Sequence, residues 1–197
     1  MKKFILILLT IVALSAGVGY YFLKYQKKTI QKLENQISFL KETYTPLKFK
    51  ILDRDSNKLK VAVKFMDMDS NEIQKSDFTL EGHELMFDFF TIQIKDRYLS
   101  FPTKIFTDMM PPQEGVDLTQ YYNVDGFPQI FNDKEITPEA KVLLTELFSK
   151  IRENKTQDLK QNFGNCVHDI QKFKSFREDY IYSILAHTKG GLEIIEN

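Results

Sequence analysis

The sequence predicts an α+β protein: an N-terminal transmembrane helix and a short coiled-coil stalk, then an antiparallel β-rich domain with C-terminal helices and a closing hairpin. Three observations support this fold class. Residues 4–23 form an uncharged apolar run, apolar residues then recur at spacings of three and four, and after residue 47 apolar and polar residues alternate. These periods are typical of a membrane span, an amphipathic helix and half-buried strands. We therefore divide the chain into residues 1–23, residues 24–46 and a single globular domain over residues 47–197.

The first element is a membrane span. Residues 4–23 are twenty uncharged residues with lysines on both sides. At about 1.5 Å per residue, a helix of this length crosses a hydrocarbon core of about 30 Å. The alternative is a cleaved signal peptide, which the small residues Ser15, Ala16 and Gly17 favour, but Leu14 interrupts the cleavage pattern. We expect a retained signal-anchor in the cell membrane, with the domain extracytoplasmic because a two-lysine start before an apolar run is typical of export signals.

A stalk follows the span. Its apolar seam consists of Ile30, Leu33, Ile37, Leu40, Tyr44 and Leu47. The seam predicts a helix from Lys24 to Tyr44 that Pro46 ends. Pairing between copies would bury it, so we predict a homo-oligomer held by span and stalk, with Ile30, Leu33, Ile37 and Leu40 as interaction residues. The alternative is one amphipathic helix against its own domain, since the two and a half heptads here fall short of a firm coiled-coil pattern.

Charge distinguishes the anchor from the domain. Residues 1–28 contain five lysines and no acidic residue, so residues 29–197 hold 22 basic against 27 acidic residues, a formal charge of −5. Nucleic-acid binding depends on neutralising phosphates, so we expect no nucleic-acid partner. The negative balance also gives no reason to expect adhesion to anionic lipid. The single cysteine, Cys166, excludes an internal disulfide, so the core must come from aromatic and aliphatic packing.

The middle of the chain predicts a β-meander. Residues 59–65 alternate apolar with polar, and further strands are expected at residues 78–80, 85–94 and 98–101. Residues 85–94 are apolar on nearly both faces, which predicts a central strand.

A short sequence pattern recurs after fourteen residues between these strands. Residues 50–57 and 64–71 both end in the pattern D-x-D-S-N, which favours hairpin turns. The alternative is a calcium loop, but Lys58 and Glu72 occupy the position that needs glycine, and Lys64 and Phe78 the position that needs a bidentate glutamate. We therefore predict turns and no metal.

A long loop covers residues 108–133. Loops of this length are usually functional or disordered, and this one contains large apolar and aromatic residues. It either caps one end of the sheet core or presents a surface for a partner or ligand. We name Tyr121, Tyr122 and Phe127 as its candidate interaction residues.

The last third predicts helices and a hairpin. Thr137 and Pro138 are typical of a helix start, and the apolar face that follows ends near Asn154. A second helix is expected over residues 157–163, resuming as far as residue 176. In that helix Cys166 and His168 would point apart, so we interpret Cys166 as structural. Two glycines at residues 190–191 predict the closing hairpin.

These patterns contain no specific catalytic, cofactor or metal signature. We expect a single-pass bacterial envelope protein that is not an enzyme, uses no cofactor and works as an interaction or scaffolding module, with itself or another envelope protein as partner. The alternative is an extracytoplasmic ligand-binding or hydrolytic domain with a site between the sheet and the loop at 108–133. That site would draw on His83, Asp88, Tyr121, Tyr122 or Asp125.

Overall fold

The computed structural model describes residues 40–94, 96–157, 159, 166–172 and 176–197. These residues form an antiparallel β-rich domain with one α-helix, which confirms that part of the predicted fold class. The strands are β1 (Thr43–Asp55), β2 (Lys58–Met66), β3 (Glu72–Glu81), β4 (Leu85–Ile94), β5 (Arg97–Thr107), β6 (Val116–Asp117), β7 (Asn123–Val124), β8 (Phe127–Pro128), β9 (Cys166–Lys172), β10 (Ile181–His187) and β11 (Leu192–Glu196); the helix α1 is Pro138–Arg152.

The N-terminal predictions lie almost entirely outside these residues. The expected span and the stalk positions Ile30, Leu33 and Ile37 fall within residues 1–39, which the structure does not describe. Within the described ranges, no helix has the length and apolar character that crossing a membrane requires.

The strands assemble into two main sheets. The large sheet has five strands in the order β11-β10-β1-β2-β3, and the small sheet has four in the order β6-β5-β4-β9. Strands β1, β2 and β3 form the predicted meander, with its turns at the two D-x-D-S-N stretches. In the second turn, the carboxylate of Asp67 accepts hydrogen bonds from the backbone N–H and side-chain amide of Asn71, at 2.7 and 3.0 Å. Aspartate and asparagine therefore make a turn here, as the pattern predicted.

The hydrophobic core lies between the sheets, where alternate residues of their strands point inward. The ring of Phe49 on β1 lies 5.1 Å from the ring of Phe87 on β4. The hydroxyl of Tyr44 donates to the carbonyl oxygen of Ser100 at 3.0 Å and accepts from the N–H of Ser100 at 2.9 Å. This pair joins β1 to β5 inside the core. Strand β4 is buried on both faces and lies between β5 and β9, so the prediction of a central strand is confirmed.

Helix α1 closes the core beside β5. Its start is the predicted one: Pro138 occupies the first turn, and Thr137 caps it by accepting a hydrogen bond from the N–H of Ala140 at 3.2 Å. The ring of Phe148 is fully buried, with centroids 6.2 Å from Phe101 and 5.3 Å from Tyr122. The helix is thereby fixed to both the small sheet and the long loop.

The closing hairpin is also confirmed. Strands β10 and β11 pair across a turn in which Gly190 and Gly191 have φ angles of 108° and 100°, values that side chains rarely adopt. Strand β10 pairs with β1 on its other side. The C-terminal hairpin therefore completes the large sheet.

The expected second helix is wrong over residues 166–172. This segment is strand β9, which pairs antiparallel with β4 and places Cys166 opposite Ile92 and His168 opposite Phe90. Pairing with β9 gives hydrogen-bond partners to the backbone groups along one edge of the central strand β4. The free energy gained by this pairing outweighs the weak helical preference of the local sequence.

The predicted helical seam also extends too far. Strand β1 begins at Thr43, so Tyr44 and Leu47 lie in a strand and not in a helix. Both are buried, and so is Leu40 at 3% exposure, because all three belong to the domain core. A bulge between Tyr44 and Leu47 turns two residues three apart toward the same side, which imitates helical spacing. Residues 40–46, which the sequence assigns to the stalk, thus include the start of β1 and the buried residues Leu40 and Tyr44.

Candidate functional site

The aromatic residues of the long loop are packed into the protein. Tyr122 is fully buried, and its hydroxyl donates to the carbonyl oxygen of Pro102 at 2.7 Å. Burial raises the pKa of Tyr122 well above its ordinary value. Tyr121 stacks on Phe65 with a centroid distance of 5.7 Å, and Phe127 retains only 9% exposure. These contacts are those of the capping alternative, in which the loop seals one end of the core.

The polar residues predicted to form a ligand site lie apart from one another. His83 is part of a turn in which the carboxylate of Asp108 accepts hydrogen bonds from the N–H groups of His83 and Glu84, at 2.8 and 2.9 Å. Those two hydrogen bonds lower the pKa of the Asp108 carboxyl group, and the bond from Glu84 has the larger effect. Asp88 lies on β4, and Asp125 is an exposed turn residue with a φ of 52°. The structure therefore does not bring His83, Asp88 and Asp125 into one site.

The calcium alternative gains no support from these turns. Both carboxylate oxygens of Asp67 already accept hydrogen bonds from Asn71. No group of three or more His, Cys, Asp or Glu side chains within the described residues is placed to hold a metal ion.

A small polar cavity lies between the small sheet, the long loop and the end of α1. Its volume is about 100 Å³, and its lining consists of Asp88, Thr103, Lys104, Asp117, Thr119, Ile151, Arg152, Asn154 and Thr156. Asp88 is the only residue of the predicted ligand site that lines it. Sequence reasoning missed the other lining residues because they come from three further segments that are distant from Asp88 in the sequence.

The polar groups of this cavity hold one another. The hydroxyl of Thr103 donates to a carboxylate oxygen of Asp88 at 2.8 Å, and that of Thr119 donates to Asp117 at 2.7 Å. The ammonium of Lys104 donates to two carbonyl oxygens of the loop, at 2.6 and 3.1 Å. The arrangement fixes the loop on the sheet and leaves space for a small polar molecule.

A second feature lies on the outer side of the large sheet. We call it the lysine face, and it consists of Lys48, Lys50, Leu52, Ala62, Lys64, Lys75 and Ile181. Lys48 on β1 is directly opposite Lys64 on β2, and Lys64 is directly opposite Lys75 on β3. Directly opposed residues have Cβ atoms about 5 Å apart, so a row of three ammonium groups crosses three neighbouring strands.

The floor of the lysine face is apolar. A groove of about 130 Å³ lies between the lysines over Ala62. Two exposed apolar side chains border it, Leu52 with 38% and Ile181 with 48% exposure. Lysines above an apolar surface combine hydrophobic contact with positive charge.

Only part of this charge is neutralised. Lys64 forms an ion pair with Glu72 at 2.6 Å. Within the described part of the chain, no carboxylate lies within 4 Å of the ammonium groups of Lys48, Lys50 or Lys75. Asp77, opposite Ala62, is the other acidic residue on this part of the face, so four lysines stand against two carboxylates.

The fourteen-residue repeat contained a signal for the lysine face. It places Lys50 and Lys64 at equivalent positions, and lysines alternate with apolar residues in both strands. Strand alternation alone puts such lysines on the outer face. Their alignment into one row requires the pairing register, which the sequence does not state.

The comparisons with known proteins return nothing that places this chain in a family: no family model, no curated protein and no solved structure matches it.

Proposed function

We propose that this chain is a single-pass membrane-anchored envelope protein whose extracytoplasmic domain works as an interaction or scaffolding module. The lysine face carries the proposal. It offers unneutralised lysines and exposed apolar side chains on one side of a sheet, which suits binding to a surface. The apolar run at residues 4–23 supports the anchor.

The start of the domain supports display close to a bilayer. The carbonyl oxygen of Leu40 accepts a hydrogen bond from the Arg97 guanidinium at 2.7 Å, and that of Glu42 accepts one from the N–H of Thr188 at 2.9 Å. Lys41 forms an ion pair with Asp69 at 3.1 Å. Only sixteen residues, 24–39, separate these contacts from the end of the predicted span. A helix of that length measures about 24 Å.

Photo-cross-linking in membranes tests the proposed interaction. A benzophenone amino acid replaces Leu52 on the lysine face, or Val142, which is 66% exposed on α1, as a matched control. We expect a discrete adduct from the Leu52 position only. Alkaline carbonate should leave the full-length chain in the membrane pellet. Equal labelling from both positions, or extraction by carbonate, would contradict the proposal.

Self-association through span and stalk forms part of the same proposal. Since Leu40 lies in the domain core, the seam that remains for pairing is Ile30, Leu33 and Ile37. A cysteine at Ile37 should form a disulfide-linked dimer in membranes under mild oxidation, whereas a cysteine at Val142 should not. Monomer at every oxidant dose from Ile37→Cys would remove self-association and leave the anchor intact.

The polar cavity favours a second candidate function, binding of a small ligand. Lys104 lies directly opposite Asp88 on β4 and Asp117 on β6, and Arg152 lines the same cavity of about 100 Å³. Charges of both signs around one small space suit a zwitterion. Free amino acids at millimolar concentration should then raise the melting temperature, and Arg152→Gln should abolish the shift. Equal shifts in both proteins would exclude this site.

A further inference from the structure

We infer that the lysine face lies on the surface of the membrane in which the chain is anchored, with its ammonium groups on the phosphates of anionic lipids. The inference rests on the proposed function, because it names the partner of the same face. It concerns where the folded domain lies, which the anchor by itself leaves open.

The lysine row contains repulsion that a single carboxylate relieves only in part. Lys48, Lys64 and Lys75 are directly opposed on adjacent strands, and like charges in that position destabilise a sheet. Glu72 relieves Lys64 alone. Phosphate groups spread over a flat surface can neutralise all three lysines at once, which a single carboxylate cannot do.

The lysine face also has an apolar component. Leu52 and Ile181 project beside the lysines, and Ala62 forms the floor between them. At a bilayer surface, lysine stems lie along apolar groups while their ammonium groups reach the headgroups. Leu52 and Ile181 are then placed to enter the boundary between headgroups and acyl chains.

The charge of the stalk favours the membrane, and not the stalk itself, as the occupant of the lysine face. Residues 24–39 contain four lysines and one glutamate, a formal charge of +3. The lysine face repels this segment, whereas anionic lipid attracts both. Because the stalk begins at the bilayer, its lysines and the lysine face act on the same surface.

The remainder of the domain carries charge of the opposite sign. Residues 29–197 carry −5 overall although the lysine face is positive, so the other surfaces are more acidic than the total. Anionic lipid repels those surfaces and attracts the lysine face. This asymmetry orients a tethered domain with one side toward the bilayer.

The test uses the full-length chain in vesicles of phosphatidylcholine, with or without an equal part of phosphatidylglycerol. Cys166 is replaced by serine, and a polarity-sensitive fluorophore is attached to a cysteine at Leu52 or, as the control, at Val142. Lipids that carry a nitroxide quencher near the headgroup report contact. A triple variant, Lys48→Gln with Lys50→Gln and Lys75→Gln, is compared with Lys134→Gln, Lys141→Gln and Lys189→Gln, which removes equal charge elsewhere.

We expect quenching at Leu52 in anionic vesicles only, and none at Val142. Each lysine near an anionic surface changes the contact equilibrium about fivefold, so the triple variant on the lysine face should weaken contact about a hundredfold. The matched triple variant should retain it. About 0.5 M salt should also release the domain, since the Debye length falls to about 4 Å.

Three outcomes would overturn the inference: quenching that is equal at both positions, quenching that ignores phosphatidylglycerol, or quenching that survives the triple variant on the lysine face. A protein adduct from Leu52 without lipid quenching would assign the face to an acidic protein partner and leave the proposed function standing. Loss of the whole chain to carbonate would instead reject the anchor. Melting temperatures of both triple variants show whether the fold is retained.

Discussion

The large sheet and the small sheet differ in how their outer sides are used. Strand β4 of the small sheet is buried on both faces: Phe87 packs on Phe49 in the core, and Asp88 lines the cavity that the long loop and the end of α1 also line. Strand β2 of the large sheet alternates strictly at its start, with Lys58 and Lys60 exposed and Leu59 and Val61 buried. The small sheet is therefore covered on both sides at β4, whereas the large sheet exposes lysines on its outer side at β2.

The polar groups of the two sheets also differ in whether they are paired with a partner of opposite character. In the small sheet, the carboxylate of Asp88 accepts a hydrogen bond from the Thr103 hydroxyl at 2.8 Å, as a buried polar group requires. On the large sheet, lysines are aligned with lysines. Substitutions in the two regions should therefore differ in size and in sign.

The largest expected effect is in the covered region. Phe148→Ala removes a fully buried ring that contacts Phe101 and Tyr122. We expect a loss of about 3–5 kcal/mol in the free energy of unfolding, measured by denaturant titration in detergent. Val142→Ala on the exposed side of the same helix should change it by less than about 0.5 kcal/mol. Similar losses at both positions would mean that α1 is not fixed to the sheet.

A smaller effect is expected where the two sheets are joined. Tyr44→Phe removes the hydroxyl that serves both the N–H and the carbonyl oxygen of Ser100. Leaving these buried groups without that partner should cost about 1–3 kcal/mol. Tyr121→Phe, at a ring that stacks on Phe65 and is partly exposed, is the control and should be nearly neutral. Equal losses of melting temperature from Tyr44→Phe and Tyr121→Phe would contradict a stabilising role for the Tyr44 hydroxyl.

The turn held by Asp108 should give a modest, pH-dependent effect. Its pKa is lowered in the folded state, chiefly by the N–H groups of Glu84 and His83. Its stabilisation is therefore present above the unfolded pKa of about 3.9 and is lost as pH falls through the folded value. Asp108→Asn should melt below the wild type near neutral pH, and the gap should close below about pH 4. A gap that is constant with pH would exclude the carboxylate as the cause.

The smallest effect should have the opposite sign. Lys75→Glu places a carboxylate directly opposite Lys64, where like charges now face each other. We expect stabilisation by about 0.5 kcal/mol, or about 1–2 °C in melting temperature. The gain should shrink in about 1 M salt, where the Debye length is about 3 Å. Destabilisation by Lys75→Glu, measured against Lys134→Glu, would show that the lysine row is not repulsive.

Local patterns predicted most of the strands and the single long helix. The alternation of residues 59–65, the start at Thr137 and the Gly190-Gly191 turn each require only neighbouring residues, so they were visible in the sequence. The errors arose where a distant partner decided the outcome. Strand β9 forms because β4 is there to pair with it, and a bulge made part of β1 resemble a helical seam.

The features of the candidate sites also divide into those visible in the sequence and those that depend on distant contacts. The sequence by itself determined the apolar run, the basic flanks, the −5 charge beyond residue 28 and the alternation of lysines along single strands. Only the tertiary structure decided that Tyr122 and Leu40 are buried and that Lys48, Lys64 and Lys75 form one row. The physical reason is that composition sums charge over the whole chain, whereas binding depends on its distribution in space. The register between paired strands sets that distribution.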